Sequence, residues 1–407
     1  MAAGGASDPT ESKPLAVLAP LSIQYTELAK NMKKQISVGV IGCGYWGPLL
    51  IRNFKSLSEC RLKSVCDLDI ARVKHACALY PDVEGLTATE RLIGAGDINA
   101  IIIATPVKTH FSLAKASLLA GKHTFIEKPM ATSSGECEEL IDIAKRKGLV
   151  LMVDHTFLYS APVRKIAEIV QAGDLGEIRY INSRRLNLGL FQKDINVAWD
   201  LAPHDISIIL HILGESPVAI NCQGNAHVSP GIEDVTNMSL FFPHKRFATI
   251  QSSWLEPRKI REMTIVGSQR MIVYDDLQTR EKIRIYDVRV VRPAHYDTFA
   301  EFHYSYHYGD SYIPHLQQEE PLSLACRHFI ECIETASQPM TSGREGLELI
   351  RVLEGASASL KMNGAPFVFG ANGADLAPAH SGDGAHHKAK RNPRTTRSSR
   401  VLVRGVV

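Results

Sequence analysis

The stretch "VGVIGCGYWG", residues 38–47, restricts what this chain can fold into more than any other. An apolar run ends in Gly42, Gly44 and Gly47, spaced G-x-G-x-x-G, and the helix-patterned "PLLIRNFKSL" follows at once. In such a strand–turn–helix unit the first glycine makes the tight turn and the second lets backbone approach a pyrophosphate. The third lets the helix pack closely on the strand, with its N-terminus facing the phosphates. The loop residues Gly42, Cys43, Gly44, Tyr45, Trp46 and Gly47 are the first cofactor candidates. Asp67 closes the next strand-patterned run, "LKSVCD", about 20 residues further on. A carboxylate there accepts from ribose hydroxyls and repels a 2′-phosphate, so NAD is expected rather than NADP. Asp69 reads as a solvated helix start.

The alternation continues. "IARVKHACALY", "THFSLAKASLLAG" and "SGECEELIDIAKRKG" have helical spacing, and "AIIIATP", "HTFIEKP" and "LVLMVDHTF" read as buried strands. Five strands alternating with helices predict βαβ units and a parallel sheet. After residue 155 the rhythm changes to a helix, "APVRKIAEIVQAG", and then to runs of strand character. "TIVGSQRMIVYDD" reads as a hairpin, and two late helices close the series. The expected class is α/β: a doubly wound N-terminal domain of Rossmann type at 35–155, then an α+β domain with a largely antiparallel open sheet at 156–368. Residues 1–34 are expected to be a poorly ordered extension, with Met32 a natural start for the folded part. Residues 369–407 are expected to be a disordered basic tail.

Charge limits the partners. The chain carries a net +3, but from Ala371 onward seven Lys/Arg face two acids, so the remainder is mildly negative. The folded body is not expected to bind nucleic acid. Eight cysteines stand singly, without a Cys-x-x-Cys pair or a zinc-type ladder, as reduced core thiols do. No run approaches the roughly 20 apolar residues of a membrane span, and no signal-peptide pattern opens the chain, so a cytoplasmic protein is expected.

Three further segments carry chemistry. "ATPVKTH" ends the third strand, where ligands of an open parallel sheet bind. Thr105 and Pro106 would shape the wall beside the dinucleotide; His110 either approaches the cofactor or packs and caps its helix. Glu127 and Lys128, both also cofactor-binding candidates, end the fourth strand, before Pro129, which restricts Lys128 to extended geometry. Lys128 either pairs with Glu127 at the surface or faces the crevice, where a desolvated lysine becomes a usable acid or base. In "NVAWDLAPHD" the helix is expected from Pro203, a residue suited to a first turn. Asp200 and His204 then approach each other at its start, the carboxylate orienting the imidazole. Asp205 is read as a first-turn carboxylate.

These segments, in this order, resemble the glucose–fructose oxidoreductase / inositol dehydrogenase / MocA-like (Gfo/Idh/MocA) family, from about Ile36 to Pro366. The shared features are the glycine loop, "ATP…H", "EKP", "D-x-x-x-H" and "GDLGEI" (Gly173 to Ile178). The resemblance implies a Rossmann domain, a C-terminal sheet that forms the substrate face and often the oligomer interface, and hence a homo-oligomer. It places Lys128 at the family's catalytic lysine and Asp200 and His204 at its catalytic pair. "VDHTFLYS", "NLGLFQ", "WDLAPHD" and "GIEDV" look like a subgroup associated with sugar-nucleotide pathways, whose expected reaction is oxidation at the sugar's third carbon.

On that reading a hydride passes reversibly between a sugar hydroxyl carbon and nicotinamide. His204 would remove the hydroxyl proton and Lys128 would hold the same oxygen, or the two would exchange roles. Substrate candidates are His155, Tyr159, Arg184, Trp199, Arg258, Lys259 and Tyr308, the basic ones being either solvated charges or diphosphate contacts. His303 and His307 lack a third metal ligand, so no metal is expected. The alternatives are a dehydrogenase of a free sugar, polyol or inositol, and a dinucleotide-binding regulator without turnover.

Overall fold

The computed structural model describes residues 35–291, 305–370 and 375–376. The first half alternates β1 (Ile36–Ile41), α1 (Gly47–Ser56), β2 (Cys60–Cys66), α2 (Ile70–Leu79), β3 (Glu84–Leu86), α3 (Thr89–Gly94) and β4 (Ala100–Ile103). It continues with α4 (His110–Leu119), β5 (His123–Glu127), α5 (Ser134–Lys147) and β6 (Leu151–Asp154). The six strands are parallel in the order β3-β2-β1-β4-β5-β6. β4 and β6 are buried throughout, as strands covered on both faces must be, which explains their unbroken apolar sequence. Five strands are expected from sequence and a sixth is found: β3 is three residues at the sheet edge, too short and too polar for an apolar run. The strand order reverses between β1 and β4, which opens a crevice at their carboxyl ends.

The second half begins with α6 (Ala161–Gln171), β7 (Ile178–Leu188) and α7 (Val197–Leu213), followed by β8 (Ala219–Asn225), β9 (Val235–Phe241) and β10 (Phe247–Ser253). β11 (Leu255–Gly267), β12 (Met271–Asp275), β13 (Ile283–Val291) and β14 (Ser305–Tyr312) come next. Then follow α8 (Pro321–Thr335), α9 (Gly343–Lys361), β15 (Phe367–Phe369) and β16 (Asp375–Leu376). The ten strands form one sheet, antiparallel except where β10 runs parallel to β7. The expected hairpin is present, with Thr264 opposite Val273. Helices α7 and α9 lie against the β7, β8 and β10 region, while the other face is bare of helices among the described residues. Although α8 follows this sheet in the chain, it packs back onto α1: Phe329 meets Phe54 and Phe125 edge-on, with ring centroids 6.3 and 5.5 Å apart.

One boundary differs from expectation in a way that matters. Helix α7 starts at Val197, not at Pro203, because Asn196 caps it: its Oδ1 accepts from the Trp199 N–H at 3.1 Å. Pro203 therefore lies inside the helix, where its missing N–H leaves the Trp199 carbonyl without its usual helical donor. Asp200 falls in the first turn, and His204 and Asp205 lie one turn deeper than expected.

Candidate active site

Around the glycine loop the backbone leaves no room for side chains where a dinucleotide would lie. Gly42 has φ +100°, and a Cβ there would stand 2.4 Å from the Ala104 carbonyl oxygen. A Cβ on Gly47 would stand 2.1 Å from the Gly42 carbonyl oxygen, so any larger residue forces helix and turn apart. At Gly44 the nearest atom to such a Cβ is Arg72 Nη1, 3.7 Å away, which leaves the loop's outer side open to a ligand. Tyr45 and Trp46 are exposed beside it, their rings 5.5 Å apart. A cavity of about 310 Å³ opens between α1 and α2, lined by Cys43, Pro48, Arg72, His75 and Tyr80 among others.

Asp67 sits at the end of β2. Its Oδ2 accepts from the Cys43 N–H at 2.7 Å and its Oδ1 from the Asp69 N–H at 2.9 Å, which fixes the carboxylate against the glycine loop. Asp69 caps α2 by accepting from the Ala71 N–H. Thr105 takes a hydrogen bond from the Thr109 hydroxyl at 2.7 Å, and Pro106 is exposed beside it. His110 does not reach the crevice. It is buried, with Nδ1 2.8 Å from the Pro129 carbonyl and Nε2 2.7 Å from the Thr105 carbonyl, and so braces the ends of β4 and β5.

Lys128 follows β5 directly, before a cis peptide to Pro129. It is half-buried, and its Nζ donates to the Asp200 carbonyl of α7 at 3.3 Å, joining the two halves of the molecule. Burial lowers its pKa below the ordinary lysine value, while Asp200 and Glu127 work in the opposite direction. The Asp200 carboxylate does not pair with His204 as expected; Oδ2 accepts from Trp254 Nε1 at 3.0 Å. The helix phase explains this: with α7 starting at Val197, Asp200 is in the first turn and its side chain turns toward β10–β11. His204 instead lays its ring edge-on to Phe157, centroids 4.9 Å apart. Burial first, then the charges of Lys128, Arg185 and Arg261, hold the His204 pKa well below the usual histidine value.

Behind His204 lies a pair the sequence analysis missed. Arg185 Nε donates to Asp205 Oδ2 at 2.6 Å and Nη2 to Oδ1 at 3.2 Å, with the Ser183 hydroxyl adding a bond to Oδ1 at 2.7 Å. Both side chains are about 5% exposed or less. Asp205 is thus a buried ion-pair partner, not a solvated first-turn carboxylate. Arg185 also lies over Phe157, 4.9 Å from the ring centroid, so that ring touches both Arg185 and His204. The signal was present in the alternation of β7: Ile181, Ser183 and Arg185 share one buried phase.

The other substrate candidates divide. His155 is buried beside the site, its Nε2 without a hydrogen-bond partner, and burial lowers its pKa to about 4. Tyr159 is turned away into the core, its hydroxyl 3.2 Å from Thr341 Oγ1, because the 3-10 turn after β6 packs on α8. Trp199 donates Nε1 to Ser357 Oγ at 2.9 Å and so faces α9 rather than a substrate. Arg184, out of phase with Arg185, points to the opposite sheet face, where it lies 3.7 Å from Glu262. Arg258 and Lys259 are exposed in the irregular segment of β11 between Leu255 and Ile260. Tyr308 is exposed on the edge strand β14, stacked on Tyr306. His307 pairs with Asp287, His303 lies outside the described residues, and no three His, Cys, Asp or Glu gather as a metal site among the described ones. The eight cysteines are free, and no described helix is long and apolar enough to cross a membrane.

Known protein families match both halves of this fold. The model of the oxidoreductase family with an NAD-binding Rossmann fold matches residues 36–155, and that of the GFO/IDH/MocA C-terminal domain matches residues 163–273. The chain belongs to the Gfo/Idh/MocA oxidoreductase family. Among this family, it is 27% identical over 342 residues to the uncharacterised oxidoreductase YrbE of Bacillus subtilis, covering 81% of this chain and 95% of that one. It is 28% identical over 247 residues to UDP-N-acetylglucosamine 3-dehydrogenase of Acidithiobacillus ferrooxidans, covering 59% and 74%. A solved structure of that name from the same organism superposes with a TM-score of 0.67 at 23% identity, covering 81% of this chain and 99% of that one. At that identity the likeness is one of fold.

As in any NAD-binding Rossmann fold, the carboxylate after β2 decides between cofactors. Asp67→Ala is expected to weaken NADH binding about ten- to a hundredfold, the range of a lost charged hydrogen bond, and to narrow the preference over NADPH. Fluorescence titration with both nucleotides measures this; unchanged NADH affinity would remove Asp67 from the site.

Proposed function

We propose that this chain oxidises a hydroxyl of a nucleotide-linked sugar, at its third carbon, with NAD in preference to NADP. The observation that carries the reading is the contact of Lys128 with the first turn of α7. It sets an ammonium from the end of β5 and the neutral imidazole of His204 on one side of the dinucleotide crevice. When bound, NAD supplies the carbon that accepts the hydride.

His204 is the group suited to accept the hydroxyl proton, because its lowered pKa leaves one ring nitrogen unprotonated, with its lone pair available, at neutral pH. The ring packs on Phe157, over which Arg185 also lies. Lys128 has a different part: it donates a hydrogen bond to the same oxygen as negative charge develops there, and its anchor on the Asp200 carbonyl sets where that donor points. Asp200, held by Trp254, positions Lys128 through its backbone instead of orienting His204 through its side chain.

The likeness to UDP-N-acetylglucosamine 3-dehydrogenase supports a nucleotide sugar. Arg258 and Lys259 are then the candidates for the diphosphate, exposed on the irregular part of β11. A second reading, a free sugar, polyol or inositol, is favoured by the placement of the other cations. Arg184 faces away, and Arg261 lies 3.7 Å from Asp276. The outer face of the ten-stranded sheet carries Tyr180 stacked on exposed Phe247, centroids 5.6 Å apart, as an interface between two copies would.

A panel of nucleoside-diphosphate sugars, free sugars and inositols, each mixed with NAD and followed by NADH absorbance, separates the readings. Reduction with a UDP-linked amino sugar is expected. Reduction with inositol or free sugars alone would establish the second reading.

A further inference from the structure

The candidate site has a floor that the reaction as described does not use. Glu127 and Asp154 are register partners on adjacent parallel strands, so their side chains leave the sheet on the same face, about 4.8 Å apart at the backbone. Both are buried, at 6% and 1% exposure. Asp154 Oδ1 accepts from the Thr156 hydroxyl at 2.7 Å, yet Glu127 Oε1 and Asp154 Oδ2 have no hydrogen-bond partner. An ionised carboxylate accepts and never donates, so two of them side by side in a dry site repel and leave both oxygens orphaned. One proton between them removes both faults at once.

We infer that Glu127 and Asp154 share a single proton and together form the counter-charge that holds Lys128 as an ammonium in the site. With one proton the pair carries −1, which balances the +1 of the adjacent lysine; with two it carries nothing, and burial then favours the neutral amine. The pair is thus a positioning element, acting on the substrate oxygen only through Lys128. This rests on the reading of Lys128 given above.

Apart from Lys128, whose charge lowers both carboxyl pKa values, the groups packed around the pair do not titrate with it near neutrality. His155 follows Asp154 and stays neutral, its pKa near 4. Burial pushes up the Tyr159 phenol of the following turn and the Cys326 thiol of α8, so neither ionises near neutrality. Asp200 faces Lys128 from α7. Burial raises the Asp154 pKa to about 6 and that of Glu127 well above the ordinary carboxylate value, with Asp154 adding to the latter, so both groups are pushed toward holding a proton and Asp154 takes up its own near pH 6.

Two measurements test this, the first needing no substrate. Infrared difference spectra with isotope-labelled carboxyl side chains at pH 7.5 should show a protonated carboxylic acid in the wild type, absent in Asp154→Asn. In that variant an amide donates to an ionised Glu127, preserving the −1 charge without a shared proton. The absence of a protonated band in the wild type, or its persistence in the variant, would overturn the proposal. The second measurement is the pH dependence of kcat. Asp154→Asn should cost no more than about threefold at pH 7.5 and should move the acid limb from near 6 to lower pH. Glu127→Gln combined with Asp154→Asn removes the counter-charge and should lower kcat at least about tenfold further, the effect of one pK unit at Lys128. Melting temperature and NADH fluorescence confirm that each protein is folded. A single variant as damaged as the double would show a structural role only, and a double variant with wild-type kcat would show that Lys128 needs no counter-charge. If no substrate is found at all, the spectra still decide the shared proton.

Discussion

Lys128→Ala should lower kcat by about a hundred- to a thousandfold while changing NAD affinity by less than about threefold. The size follows from the loss of one preorganised donor to a developing alkoxide, worth about 2.7–4 kcal/mol in a water-excluded site. The selectivity follows from where Lys128 is held. Its Nζ is anchored on the Asp200 carbonyl of α7, while the glycine loop and Asp67, which form the nucleotide end of the crevice, make their hydrogen bonds independently of it. Steady-state kinetics and NADH fluorescence together separate the two effects. A variant that loses NAD affinity and kcat in parallel would make Lys128 a cofactor-binding residue alone.

Arg185→Leu should cost about 3–5 kcal/mol of stability, because it leaves the Asp205 carboxylate buried with only the Ser183 hydroxyl as partner. For a protein of this size that amounts to a fall of roughly 5 °C in melting temperature. Arg185→Leu combined with Asp205→Leu should recover most of the loss, since replacing both ends of a buried ion pair by apolar groups is often neutral. Activity should not recover with it: without the Arg185 guanidinium over its ring, Phe157 no longer holds the His204 ring in place. A melting temperature unchanged by Arg185→Leu would mean that the pair is solvated. Full activity in the double variant would mean that His204 needs no such support.

The parts of this molecule that were legible in sequence are those where one short pattern forces one backbone. The glycine loop, the buried strands and Lys128 at the end of "FIEKP" are all of that kind, since each is specified by neighbours in the chain. The α7 region was read a turn late because Pro203 resembles a helix start, while the Asn196 cap, with polar residues before it, gave a weaker signal. The consequence was chemical: a helix that starts six residues early turns the Asp200 side chain toward Trp254 and sinks Asp205 into the core. Arg185 and the Glu127–Asp154 pair were not legible for another reason. Each depends on register between strands or between strand and helix, and single-chain periodicity says which face a residue takes but not what it meets there. Arg184 and Arg185, neighbours in sequence on opposite faces of β7, show the limit of reading a basic cluster as one patch.

The measurement closest to the central claim is transfer of label from substrate to cofactor. The nucleotide sugar that reduces NAD would be synthesised with deuterium on its third carbon, and the NADH formed by the wild-type protein examined by mass spectrometry and proton NMR. The account predicts deuterated NADH, formed with a primary isotope effect in single turnover and about a hundred- to a thousandfold more slowly by Lys128→Ala. NADH formed without deuterium, or formed at the wild-type rate by the Lys128 variant, would contradict it.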